Sequence, residues 1–334
     1  MTVSLETSVA NLGGCLADES GSGHAVESTR FRHEAFLYDT DDELAATTHG
    51  FVDDGLRDGD LIIARVDSRT RAVLDETLDP AGVEHVARDC TNPAAALHET
   101  HRMVTQALTP GDARRIRILG TPPTANTWDW MRYEAAINHV LDALPVSSLC
   151  LYDRRTTSAA DLDDVGRTHP HVKDTHCRCR RPAYQRPEAF LDARDRRPDP
   201  LERTAPQLTL TDPEPEDLHD AIERLAEGRT SKADRNAIDD LRIAAATVAK
   251  NARRHTTAPF HVNGWAREGR LVITVRDHGP GIASPFPGLI PSDLLADADR
   301  ADSLHLITQT ITRAAFVNQP DGLLVRLVQD TRAT

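Results

Sequence analysis

Four short apolar bursts separated by amphipathic stretches constrain the fold of this chain more than any other feature of its sequence. They are Ala35-Phe36-Leu37-Tyr38, Leu61-Ile62-Ile63-Ala64-Arg65-Val66, Arg115-Ile116-Arg117-Ile118-Leu119 and Ser148-Leu149-Cys150-Leu151-Tyr152. Each is short and rich in aliphatic and aromatic residues, the pattern of a buried strand. Between the first two, Thr40-Asp41-Asp42-Glu43 reads as a capping box, and Leu44, Thr48, Phe51, Val52 and Leu56 form a helical stripe closed by Gly59. Asn92-Pro93 opens another helix with a cap residue followed by proline at the first turn. Strands separated by helices imply a doubly wound, mostly parallel α/β sheet up to about residue 170.

The second half has a different pattern. Gln207-Leu208-Thr209-Leu210 reads as a strand, followed by helices over about 214–226 and 233–255, the latter keeping Ile238, Leu241, Ala245, Val248, Ala249 and Ala252 at helical spacing. Strands at 260–266 and 271–275, joined by a turn at Arg267-Glu268-Gly269-Arg270, precede a Gly/Pro-rich loop, a helix over 303–311 and a closing strand at 323–328. Helices on one face of an antiparallel sheet make an α+β two-layer sandwich. A chain of 334 residues accommodates two domains, so the expected division is a disordered tail at 1–30, an α/β domain at 31–174, a linker at 175–206 and an α+β domain at 207–334. The linker assignment rests on arginines interleaved with Pro182, Pro187, Pro198 and Pro200, and it expects an exposed stretch.

Composition excludes several function classes. Lys+Arg 39 against Asp+Glu 52 gives a formal charge of −13, which repels phosphate backbones and anionic lipid. No direct nucleic-acid or membrane partner is therefore expected. No apolar run reaches the roughly 18 residues that span a bilayer, and no secretory signal is expected at the start. Five scattered cysteines argue for a reducing compartment, and the expected location is cytoplasmic.

Asp277-His278-Gly279-Pro280-Gly281-Ile282, at a strand end, is the sharpest local motif. Two glycines let the backbone turn and approach a ligand, and the carboxylate can accept from a purine amino group. Asn251, near the end of the preceding long helix, offers an oxygen to Mg²⁺. This order resembles the GHKL (Bergerat-fold) ATPase domain of anti-sigma-factor serine kinases, over about residues 206 to 330. The resemblance implies Asn251 as Mg²⁺ ligand, Asp277 as adenine partner, and Gly279 and Gly281 as nucleotide-loop glycines, with ATP/Mg as cofactor. The family has a glutamate base four residues before the asparagine; Thr247 stands there, and a hydroxyl cannot act as a base near pH 7. The family's second glycine box is replaced by Ala301-Asp302-Ser303-Leu304, so no catalytic residue is assigned.

The first half resembles the MEDS domain, a methanogen/methylotroph-type sensory module, over roughly residues 31 to 171. His33 to Asp39, Asp54 to Asp60, Tyr133-Glu134 with Asn138, Leu149 to Asp153 and Arg167 to Pro170 carry the likeness. It implies a RecA-like α/β fold that binds small effectors. His33, Tyr38, Asp39, Glu134, Tyr152, Asp153 and His169 fall at strand ends or adjoining helices, the rim where open α/β sheets place ligands, and are the candidate sensory pocket. Trp128 and Trp130 are candidates to line a pocket or to pack in the core.

His169, His171, His176, Cys177 and Cys179 cluster in sequence, but Cys177-x-Cys179 lacks the usual two-residue spacer, so zinc is not expected and a solvated segment is. The resulting expectation is a signalling regulator in which the sensor controls a degenerate GHKL scaffold, binding a sigma factor or a STAS-type anti-anti-sigma protein, with a homodimer possible. The alternative is an active ATP-dependent serine kinase that phosphorylates the anti-anti-sigma protein.

Overall fold

The computed structural model describes residues 30–77, 82–86, 92–108, 115–122, 129–175, 178–180, 183–228, 234–290 and 298–331. The tail at 1–30, His176, Cys177 and Trp128 therefore fall outside the described residues, except for Arg30. In the first half the chain runs β1 (Arg32–Tyr38), α1 (Asp41–Asp58), β2 (Leu61–Arg65), α2 (Ser68–Thr77), β3 (Val83–His85), α3 (Pro93–Ala107), β4 (Ile116–Gly120), α4 (Met131–Val140), β5 (Val146–Asp153), α5 (Ala159–Thr168), β6 (His171–Lys173) and β7 (Arg178–Arg180). These strands form one sheet in the order β3-β2-β4-β5-β1-β6-β7. All its pairs are parallel except β6 with β7.

The local signals act as the sequence suggests. Thr40 Oγ1 accepts from Glu43 N at 3.2 Å while the Glu43 carboxylate takes the Thr40 N–H, and Gly59 closes α1 at φ 75°. Strand alternation divides the sheet between two cores. Ala35, Leu37, Cys150 and Tyr152 face α3 and α4, whereas Phe36, Tyr38, Leu149 and Leu151 pack with Leu44 and Val52 of α1.

The second half comprises α6 (Pro187–Asp195), a 3₁₀ turn (Pro200–Arg203), β8 (Leu208–Thr211), α7 (Pro215–Ala226), α8 (Arg235–His255), β9 (His261–Arg267), β10 (Arg270–Arg276), α9 (Ala298–Thr310), β11 (Arg313–Gln319) and β12 (Gly322–Asp330). Its sheet is antiparallel, in the order β11-β12-β10-β9-β8. Leu218 and Ile222 of α7 and Leu241 and Val248 of α8 bury one face against Val262, Ile273 and Leu327. The architecture is an antiparallel sheet with helices, and nothing in the described residues singles it out as Bergerat-like.

Part of the stretch expected as an exposed linker, residues 187–204, is instead a folded brace. Pro187 and Pro200 are the first residues of α6 and of the 3₁₀ turn, where the missing N–H costs nothing. Phe190 and Leu191 are buried against the first core, and Leu201 packs with Trp265 and Val272 on the other face of the second sheet. Arg194 is paired with Asp129 and Asp164, and the exposed Arg196 with Asp192. Phe286, Leu289 and Ile290 also join the first core. Limited proteolysis should therefore leave 187–204 intact while exposed loops are cut. Early cleavage inside α6 would contradict this packing.

Candidate functional site

The seven rim residues do not all line one pocket, though Tyr38, Tyr152 and Asp153 share a cavity of about 460 Å³. Tyr38 points to the α1 face; Asp39 is exposed and accepts from Arg154 at 2.9 Å. Asp153 is held by Arg155 N at 2.9 Å, the Arg155 side chain and Arg69, so it locks the turn after β5. The other four, His33, Glu134, Tyr152 and His169, converge in the interior, joined by Cys150 of β5.

His33 comes from β1, Glu134 from the first turn of α4, and His169 from the C-cap of α5. Glu134 Oε2 lies 3.2 Å from His33 Nε2, 3.5 Å from His169 Nε2 and 3.8 Å from Cys150 Sγ. His33 Nε2 is 3.3 Å from Cys150 Sγ, and the four ligand atoms all lie within 4.8 Å of one another. A zinc ion with bonds of about 2.0–2.3 Å to N, O and S makes a tetrahedron whose edges are roughly 3.3–3.8 Å. Four of the cluster's six edges, at 3.2–3.8 Å, have about that length.

The hydrogen bonds around it fix which nitrogens face inward. Asn138 Nδ2 donates to the carbonyls of Glu134 and Thr168, at 2.8 and 2.9 Å, which turns its Oδ1 toward His33 Nδ1 at 3.1 Å. His169 Nδ1 stands 3.0 Å from the Val165 carbonyl. Each Nδ1 must therefore donate, leaving both Nε2 lone pairs aimed at the Glu134 carboxylate. Burial, with His169 beside it, holds His33 down to about 4, so its ring is neutral at pH 7. Burial alone would raise Glu134; an Nε2–H donated from either imidazole lowers it. Where neither Nε2 carries a proton, lone pairs face lone pairs. A divalent cation at the centre resolves the conflict, and the two Nδ1 partners are the outer shell that such sites use to orient histidines.

Cys150, His33 and Asn138 also stand in the thiol, imidazole, amide order of a cysteine nucleophile. Burial and the Glu134 charge push the Cys150 thiol well up, and a neutral His33 that cannot readily take its proton leaves no thiolate to attack. The metal-ligand reading fits the chemistry better.

This cluster corrects the expectation that zinc is disfavoured. Of the residues weighed for zinc on spacing, His169 to Cys179, His169 belongs to this cluster and His171 does not, while His176 and Cys177 lie outside the described residues. The chain assembles its ligands across β1, α4, β5 and α5, and no local spacing records that.

The expected nucleotide residues are placed differently. Asp277 Oδ1 accepts from Gly279 N at 2.8 Å and Leu323 N at 3.2 Å, clipping its turn to β12. Gly281 has φ 75°, and a Cβ there would fall 2.4 Å from Asn318 Oδ1, which accepts from Ile282 N. Gly279 abuts the His255 carbonyl at the end of α8. Thr247 Oγ1 donates to Ile243 O in its own helix at 2.8 Å, and Asn251 is half-buried on the same helix. The motif thus has a structural job in the turn.

Residues 32–170 match the family model of MEDS, the methanogen/methylotroph, DcmR sensory domain, and this part of the chain is a sensory domain of that type. All four cluster residues lie inside the match, whereas Asn251 and the Asp277 turn lie outside it. No curated protein matches the chain.

Proposed function

We propose that this protein, proceeding from a MEDS-type sensory domain at residues 32–170, is a signalling regulator in which metal occupancy of the His33, Glu134, Cys150 and His169 cluster sets how the second sheet engages a protein partner. The buried four-ligand cluster carries the reading. A route to the second sheet runs through α4. Arg132, two residues from Glu134, is ion-paired with Asp195 of α6; the Asp195 carbonyl accepts from Arg326 of β12 at 2.8 Å, and Arg326 is ion-paired with Glu202 of the brace. A shift of α4 on metal binding is thereby felt at β12.

The sequence resemblance of the second half supplies the partner class, a sigma factor or a STAS-type anti-anti-sigma protein. A scaffold is favoured over a serine kinase because Thr247 replaces the base and Asp277 Oδ1 is committed to backbone amides. No helix among the described residues is long and apolar enough to cross a membrane. A cytoplasmic site of action belongs to the same proposal.

Hydrogen exchange with and without one equivalent of Zn²⁺ tests the coupling. Zinc should slow exchange in α4 and α5 and also in α6 and β12. Protection confined to residues 30–170 would separate the metal from the output and sink the proposal.

A further inference from the structure

Beside the cluster lies a cavity of about 80 Å³. Its wall includes Glu134 and Cys150, two of the four ligands, together with Arg65, Trp130, Tyr133 and Ser148. The edge of the metal centre between Glu134 and Cys150 is thus the one next to open space. Bulk water occupies about 30 Å³ per molecule, so the cavity has room for two or three waters or an equivalent small molecule.

The wall carries one buried donor without a partner beside the Arg65 guanidinium. Trp130 Nε1 is buried without a hydrogen-bond partner among the described residues, and an indole N–H can only donate. Arg65 is buried too, its guanidinium donating to Thr100 Oγ1 and Glu99 Oε2 at 2.6 Å each. Leaving a buried donor unmet is costly. An occupant with an acceptor at one end removes that cost, and a lone pair at its other end reaches the metal. Ala96, Ile118, Gly120, Thr121 and Pro122 line the rest.

We propose that this cavity admits an anion of two to four non-hydrogen atoms, which coordinates the metal as an exogenous ligand while Trp130 Nε1 donates to its far end. The inference rests on the metal-centre reading. The ion keeps its four protein ligands and gains a fifth dative bond from the anion's lone pair; no electron is transferred and no covalent bond breaks. Metal occupancy and anion concentration then both act on Glu134, and through it on α4.

The test uses the full-length protein substituted with Co²⁺ and titrated with sodium azide, with sodium chloride at matched ionic strength as control. Azide should saturably lower the d–d absorption of four-coordinate cobalt while the thiolate-to-cobalt band persists. Trp130→Phe, which keeps the ring and removes the donor, should bind cobalt normally and weaken azide about tenfold, the size of one hydrogen bond to a charged group. Ala96→Leu, which narrows the cavity from another side, should weaken azide as well. Cobalt bands that ignore azide, that respond identically in Trp130→Phe, or that vanish together with the thiolate band as azide strips the metal, overturn the anion site and leave the metal centre standing. Absence of cobalt bands in the wild type overturns the metal reading and this inference with it.

Discussion

Replacing Arg132 by Met should cost about 3–5 kcal/mol of stability, the range seen when one member of a buried ion pair is removed. Arg132 and Asp195 are 5% and 6% exposed, and the guanidinium meets both carboxylate oxygens, Nη2 to Oδ2 at 3.2 Å. Truncating the arginine leaves a charged carboxylate between α4 and α6 with no counter-ion, and desolvation dominates the cost. The double variant Arg132→Met/Asp195→Leu should recover most of the loss, because it removes both charges and fills the space. Urea denaturation of the wild type and the two variants measures this. Equal stability of Arg132→Met and wild type would show that the pair is hydrated, and that α4 and the brace are not rigidly joined.

Removing a ligand from the cluster should weaken metal binding about 10²- to 10³-fold, a quarter share of the roughly 10–16 kcal/mol found for structural zinc sites. Cys150→Ser and His169→Ala are the direct variants. Asn138→Ala touches no metal, yet it frees His33 Nδ1 and should cost about 10- to 100-fold. Competition with a chelator of known affinity ranks the three. An Asn138→Ala effect as large as loss of a ligand would mean that the fold around α4 had failed rather than the orientation of one ring. The pH dependence has a definite sign. Burial pushes the Cys150 thiol up, so the metal must displace its proton, whereas His33 is already neutral at pH 7. Apparent affinity should rise by about tenfold per pH unit on this account.

The sequence made the first sheet legible because its central strands are apolar bursts with a helix between each pair, and β1, β2, β4 and β5 appear where those bursts lie. The short strands β3, β6 and β7 have three residues each, too few to show a period, and β11 carries no clear strand signal in the sequence. The brace is hidden in the sequence because its arginines and prolines resemble a solvated linker; its ion partners, Asp129, Asp164 and Arg270, are distant in sequence. At the site, His33, Glu134, Tyr152 and His169 were named from their places at strand ends. Period-two alternation in β1 could have separated Tyr38 from His33, since odd and even positions face opposite cores. Cys150 was missed as a ligand because a cysteine in an apolar strand looks like core. Its one signal was that it shares a face with Tyr152, two residues on.

X-ray absorption at the zinc edge, on protein reconstituted with one equivalent of Zn²⁺, tests the central claim most directly. The cluster predicts one sulfur at about 2.3 Å and three nitrogen or oxygen neighbours at about 2.0–2.2 Å, with the sulfur lost in Cys150→Ser. A shell with no sulfur in the wild type, or with two, would contradict it, and two sulfurs would move the metal to Cys177 and Cys179.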